Sequence, residues 1–256
     1  MIATLNNHLI SQFFFPLFRL SGMFIAAPVL GSHLVPVRIR VILALLVTLL
    51  ILPLIPEIPV VDALSIHGFL LMANQVLIGV AIGLIFQLVF QVIVLGGQLL
   101  AMQSGLGFAT MVDPQNHDNL PVITQFYLFA LTLLFLSTDG HLSLLQMIVS
   151  SFQTFPIGWH FLSVDNFIEI AAFAGDIFSG AVSIALPAII SLLMVNLTFA
   201  IVTKSAPQIN IFSIGFPLTL ILGLTVMYLS FPSMIHHAEM IFSHGFSIVN
   251  DILGVS

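Results

Sequence analysis

From Phe69 to Met102 the chain carries neither a charged residue nor a proline. That run limits what it can fold into. A helix that crosses a bilayer needs ~20 mostly apolar residues. This run is much longer, so it has to tilt, extend beyond the membrane, or bend at Gly96–Gly97. The remainder of the chain has the same character. Of 256 residues 59% are hydrophobic and 5% charged, where an ordinary soluble domain has about 25% charged residues. The basic residues are Arg19, Arg38, Arg40 and Lys204, against ten acidic ones. A water-facing surface cannot be made from so few charges. The fold class implied is an all-α integral membrane protein, because a helix satisfies its own backbone groups in hydrocarbon.

Hydropathy places about six apolar helices. They run over Ile10–Leu30, Val41–Ile55, Phe69–Met102, Val122–Leu136, Ile177–Val202 and Ile211–Phe231. Leu142–Phe152 is apolar but short, which suits a packed or interfacial helix. Thr154–Asp176 reads as membrane-surface material, and Pro232–Ser256 as an amphipathic tail. The N-terminus has no Lys or Arg before its first apolar run, so that run is expected to be retained rather than cleaved. No internal repeat or linker divides the chain, and a single domain over residues 1–256 is expected. With six spans, Arg38, Arg40 and Lys204 fall in loops on one side, which the positive-inside rule makes cytoplasmic.

Several function classes are disfavoured. The acids are scattered and the basic residues form no patch, so nucleic acid is not expected as a partner. The absence of cysteine excludes disulfides, thiolate metal sites and a cysteine nucleophile. No HExxH helix, P-loop, dinucleotide fingerprint or GxSxG elbow is present, and neither a catalytic residue nor a metal or cofactor site is expected. A proton-coupled or small-solute carrier would want carboxylates inside spans, and here they fall near span ends or in loops. An intramembrane enzyme would want a catalytic pair that the spans lack.

What the spans do hold is small and amide residues. Gly79 and Gly83 are four apart, and Gly97, Ala101 and Gly105 continue the pattern, which favours close helix packing where lipid supplies no hydrophobic drive. Gln87, Gln91 and Gln98 share one helical face. That face should meet protein or water, as helix–helix hydrogen bonds or as a water-lined path. Arg19 lies inside the first span with no acid nearby in sequence. It can snorkel to an interface, find a buried partner, or meet the carbonyl end of another helix.

Several segments together resemble the FliR/SctT family of flagellar and virulence type III export-gate proteins. They are Arg19–Pro28, Pro36–Arg40, Gly96–Pro114, Thr138–His141, Ala185–Pro187, Ala206–Phe212 and Gly215–Pro217, covering about Arg19 to Gly223. The set favours the flagellar branch. The resemblance implies a non-enzymatic subunit of the export channel in the bacterial inner membrane at the flagellar basal body. It further implies assembly with FliP-like and FliQ-like subunits and an FlhB-like subunit, passage of unfolded flagellar proteins, and no cofactor. It implies, too, a largely extra-membrane cone of helical hairpins, in which the apolar helices are buried against other subunits rather than lipid. It also implies a pore-closing plug in the loop from Gly105 to Pro121. Gly105 and Gly107 permit unusual backbone angles, Phe108, Met111 and Val112 supply apolar bulk, and Asp113–Pro114 favours a turn. Near Pro207, Gln208 and Asn210 this chain has Lys204 where the family commonly has arginine, so a bidentate contact is not carried over.

Overall fold

The computed structural model describes residues 2–32, 35–56, 61, 65–106, 120–158, 161–205 and 211–254. Among them there are seven α-helices and no strand: α1 (Ile2–Ala26), α2 (Val37–Ile51), α3 (Ile66–Gln103), α4 (Val122–Ser137), α5 (Gly140–Thr154), α6 (Val164–Ser205) and α7 (Ile211–Leu253). A short 3₁₀ turn, Leu52–Leu54, ends α2 at the proline cluster. The fold is all-α, as the composition requires.

Four helical segments are long and apolar enough to cross a membrane: Val37–Leu54, Ile66–Gln103, Val164–Ser205 and Pro217–Leu253. A fifth arises if α4 and α5, bent by 60° at their junction, act as one broken span. The elements differ from the hydropathy reading in a consistent way. The stretch expected at the membrane surface up to Asp176 is largely the first turns of α6, and the expected sixth span and tail form the one continuous α7. Pro187, Pro217 and Pro232 sit inside these helices. A proline removes one backbone donor, and such a loss is tolerated in apolar helices where neighbouring groups re-satisfy the freed carbonyl. At Pro187 the freed oxygen lies elsewhere, but the hydroxyl of Ser191 does donate to the Pro187 carbonyl at 2.8 Å.

The α4–α5 junction follows from Asp139–Gly140. Asp139 takes a left-handed φ of 56°, a conformation that Asp tolerates better than most residues. Gly140 follows where a side chain would meet the ring and carbonyl of Phe135. The turn is closed by the amides of Leu142 and Ser143, both donating to the Asp139 carbonyl at 3.0 Å.

The chain forms two compact units, to which α3, α6 and α7 each contribute different parts. The first comprises Met1–Leu88, Phe135–Ala174 and Phe242–Ser256. In it Phe86 packs edge-on against Phe246 with ring centroids 4.7 Å apart, and Phe135 stacks on Phe242 at 5.4 Å. The second comprises Val89–Leu134 and Gly175–Ile241. There the Tyr127 hydroxyl donates to the Met227 carbonyl at 3.3 Å and lies 3.1 Å from Ser230 Oγ, joining α4 to α7. Its core includes Ile93, Leu100, Ala181 and Ala188.

Candidate functional site

The first unit is organised around Arg19. Its side chain is fully buried, although arginine is among the residues least often found in that state. The guanidinium Nε donates to Gln75 Oε1 at 2.8 Å. One terminal nitrogen donates to the carbonyl and hydroxyl oxygens of Ser151, at 2.8 and 2.9 Å, and the other donates to the Phe155 carbonyl at 2.9 Å. The guanidinium carbon also lies 4.2 Å from the centre of the Phe152 ring, over its face. Of the destinations open to Arg19 in sequence it does not take the interface: it finds buried partners in Gln75 and the Ser151 hydroxyl, and it meets the carbonyl end of another helix as well. Ser151 and Phe155 close the C-terminal end of α5, which has no basic residue in its own last turn. A cation at that end meets the negative pole of the helix dipole. Phe152 adds a cation–π contact in a place shielded from water.

Glycines let the backbones come close enough for this. A Cβ on Gly79 would collide with the carbonyl oxygen of Arg19, and one on Gly22 with that of Val76. A Cβ on Gly83 would lie 2.8 Å from the Ala27 nitrogen and the Met23 oxygen. Gln75, Gly79 and Gly83 are spaced by four, as are Arg19, Met23 and Ala27, so each set forms one helical face. The paired positions ascend together, so α1 and α3 run parallel there. Gln75 and Gly22 were not singled out from sequence. The available signal was the extension of the Gly79–Gly83 stripe back by one helical turn to Gln75.

The second unit has its own close crossings. A Cβ on Gly97 would lie 3.0 Å from Thr124 Cα, and one on Gly223 would overlap the side chain of Ser104. Ser104 is fully buried, and Gly105 beyond it has a φ of 81°. The Thr124 hydroxyl is buried with no hydrogen-bond partner.

The other residues expected to matter are dispersed. Gln87 and Gln98 are half-buried and Gln91 is exposed, so the shared face is not sealed within this chain. Lys204 is exposed in the last turn of α6. Gly107, Phe108, Met111, Val112, Asp113 and Pro114 lie outside the described residues, as do Pro207, Gln208 and Asn210. A groove of about 270 Å³ lies on the first unit, lined on α5 by Ser143, Gln146, Met147 and Ser150 and on α7 by Phe246, Asn250 and Leu253. It brings no set of catalytic groups together. No group of three metal-ligating side chains occurs among the described residues.

Large apolar side chains face outward along whole helices. On α2 they include Leu46, Leu49 and Leu50, on α6 Leu193, Met194 and Leu197, and on α7 Leu224, Tyr228 and Leu229. Such continuous surfaces call for lipid or other protein. The polar residues interspersed on α6 suit that setting. Ser183, Ser191 and Thr198 each donate to the carbonyl four residues earlier, at 2.8 Å. This back-bonding removes their need for water.

Fold and site together define an all-α integral membrane protein that turns apolar helix faces outward and holds the buried Arg19 guanidinium on a helix end. The relatives make that class specific. Residues 10–245 match the family described as bacterial export proteins, family 1, and the chain belongs to it. It is 36% identical over 246 residues to the flagellar biosynthetic protein FliR of Escherichia coli (strain K12), covering 95% of this chain and 93% of that protein. It is 37% identical over 244 residues to FliR of Pectobacterium carotovorum subsp. carotovorum, with the same coverage of both. With FliR of Aquifex aeolicus (strain VF5) the identity is 32% over 215 residues, or 84% of this chain and 83% of that one.

Proposed function

We propose that this chain is a subunit of the flagellar type III protein-export gate in the bacterial inner membrane. In this reading it assembles with FliP-like and FliQ-like subunits and an FlhB-like subunit at the flagellar basal body, and the assembly passes unfolded flagellar proteins. The observation that carries the reading is the 36% identity to a FliR protein across 95% of the chain. The outward apolar faces of α2, α6 and α7 support it, because they supply surface for neighbouring helices that the chain alone leaves uncovered. The role is conduction, and no bond-making step is assigned to any residue.

The loop from Gly105 to Pro121 is the proposed plug of the closed pore, with Phe108, Met111 and Val112 as its obstructing side chains. Support comes from its root: Gly105 takes a left-handed φ of 81° directly after the buried Ser104. That angle turns the chain out of α3 at the residue type that adopts it most easily. Replacing residues 107–119 with a short Gly/Ser linker tests the assignment in the assembled complex. Conductance to small ions should rise in reconstituted vesicles while the complex stays intact. Unchanged conductance would rule the loop out as the seal.

A further inference from the structure

We infer that Arg19 is the positioning residue that ties the C-terminal end of α5 to α1 and α3, and that only an arginine can do so. Its hydrogen bonds reach three separate acceptor groups: the amide oxygen of Gln75 on α3, both oxygens of Ser151 in the last turn of α5, and the Phe155 carbonyl just beyond it. No carboxylate is among these partners. The charge is balanced instead by carbonyl dipoles at a helix end and by the Phe152 ring.

The Ser151 carbonyl already accepts the Phe155 amide at 2.9 Å. Arg19 uses its second lone pair, so the tie adds to the helix end and does not compete with it. Ser151 Oγ in turn donates to the Ile148 carbonyl at 2.6 Å, which fixes the acceptor that Arg19 meets. The guanidinium fork is rigid and planar, with donors aimed in divergent directions, so one side chain serves all three acceptors. A lysine ammonium is a compact point charge and cannot sit between Gln75 and Phe155 while also meeting Ser151. The inference concerns the internal order of the chain and holds whichever partners surround it.

The absence of cysteine allows a direct test. Ile148 on α5 and Ala188 on α6 are both fully buried, and neither side chain takes part in the tie: Ile148 contributes only its backbone carbonyl, which a cysteine keeps. Each is replaced singly by cysteine in the full-length chain in detergent, with Arg19, Arg19→Lys or Arg19→Met, and labelling by a small maleimide is timed. With Arg19 present both thiols should be protected. In both variants Ile148→Cys should react about a hundredfold faster, as loss of several charged hydrogen bonds raises the locally open population. Ala188→Cys should stay protected, which separates release of α5 from unfolding of the chain. Three results would each overturn the inference: Ile148→Cys protected in both variants, lysine restoring full protection, or Ala188→Cys opening together with Ile148→Cys.

Discussion

The backbone of Arg19 lies against the backbone of Gly79 with no room for a side-chain carbon between them: a Cβ on Gly79 would fall on the Arg19 carbonyl oxygen. The same turn of α1 that sends the guanidinium toward α5 therefore requires a glycine on α3. Gly79→Ala should push the two helices apart and lower stability by about 1–3 kcal/mol, the usual range for overpacking a tight contact. Thermal unfolding of the detergent-solubilised protein would register the loss as a lower midpoint. An unchanged midpoint would mean that the crossing is looser than described.

Gln75 provides the acceptor for Arg19 Nε at 2.8 Å, while its own Nε2 is buried without a partner. Gln75→Leu would leave a charged donor unanswered in the core. The expected cost is about 1–3 kcal/mol, read from the same unfolding midpoints. A neutral effect would indicate that Ser151 and Phe155 suffice to hold the guanidinium.

Thr124 gives a prediction of opposite sign. Its hydroxyl is buried and makes no hydrogen bond, and it packs against Gly97. Thr124→Val keeps the shape and removes the unpaired polar group, so stability should rise by about 1 kcal/mol. A fall would reveal a partner for the hydroxyl, such as a bound water.

Val29, just after α1, has a φ of 65°, a left-handed conformation that costs a β-branched residue about 1–2 kcal/mol. The strain is fixed in place by the Gly31 amide donating to Ala27 at 2.8 Å and by Arg40 donating to the Ser32 carbonyl at 3.0 Å. Val29→Asn should stabilise the protein by about 1 kcal/mol, and Val29→Ile should leave it unchanged. Equal midpoints for the asparagine and isoleucine variants would contradict the strain.

Much of this was legible in the sequence, and the boundary has a physical cause. Charge scarcity marks a membrane protein, and uninterrupted apolar runs as long as Phe69–Met102 mark it as helical, since a spanning helix needs ~20 such residues and a spanning strand about half as many. The Gly79–Gly83 spacing marks a face for close approach, and Asp139–Gly140 marks a turn. Neither states which helix is met, because a small-residue stripe shows only that something comes near. Arg19 was ambiguous for a related reason. Its acceptors on α5 and just beyond, Ser151 and Phe155, lie 132 and 136 positions away in the chain, and two of their three oxygens belong to the backbone. A backbone carbonyl has no residue-type signature. The helix boundaries around Asp176 and Pro232 were misplaced because polar residues and prolines were read as ends, whereas long helices carry them through.

A chain that works as one subunit of an export gate, as proposed for this one, should stay bound to its neighbours when it leaves the membrane. Native mass spectrometry decides this on the tagged chain, solubilised from cells that also express FliP-like and FliQ-like proteins. A stable hetero-complex that contains this chain is the expected result. A lone monomer or homodimer, with the partners expressed but absent from the purified material, would contradict it.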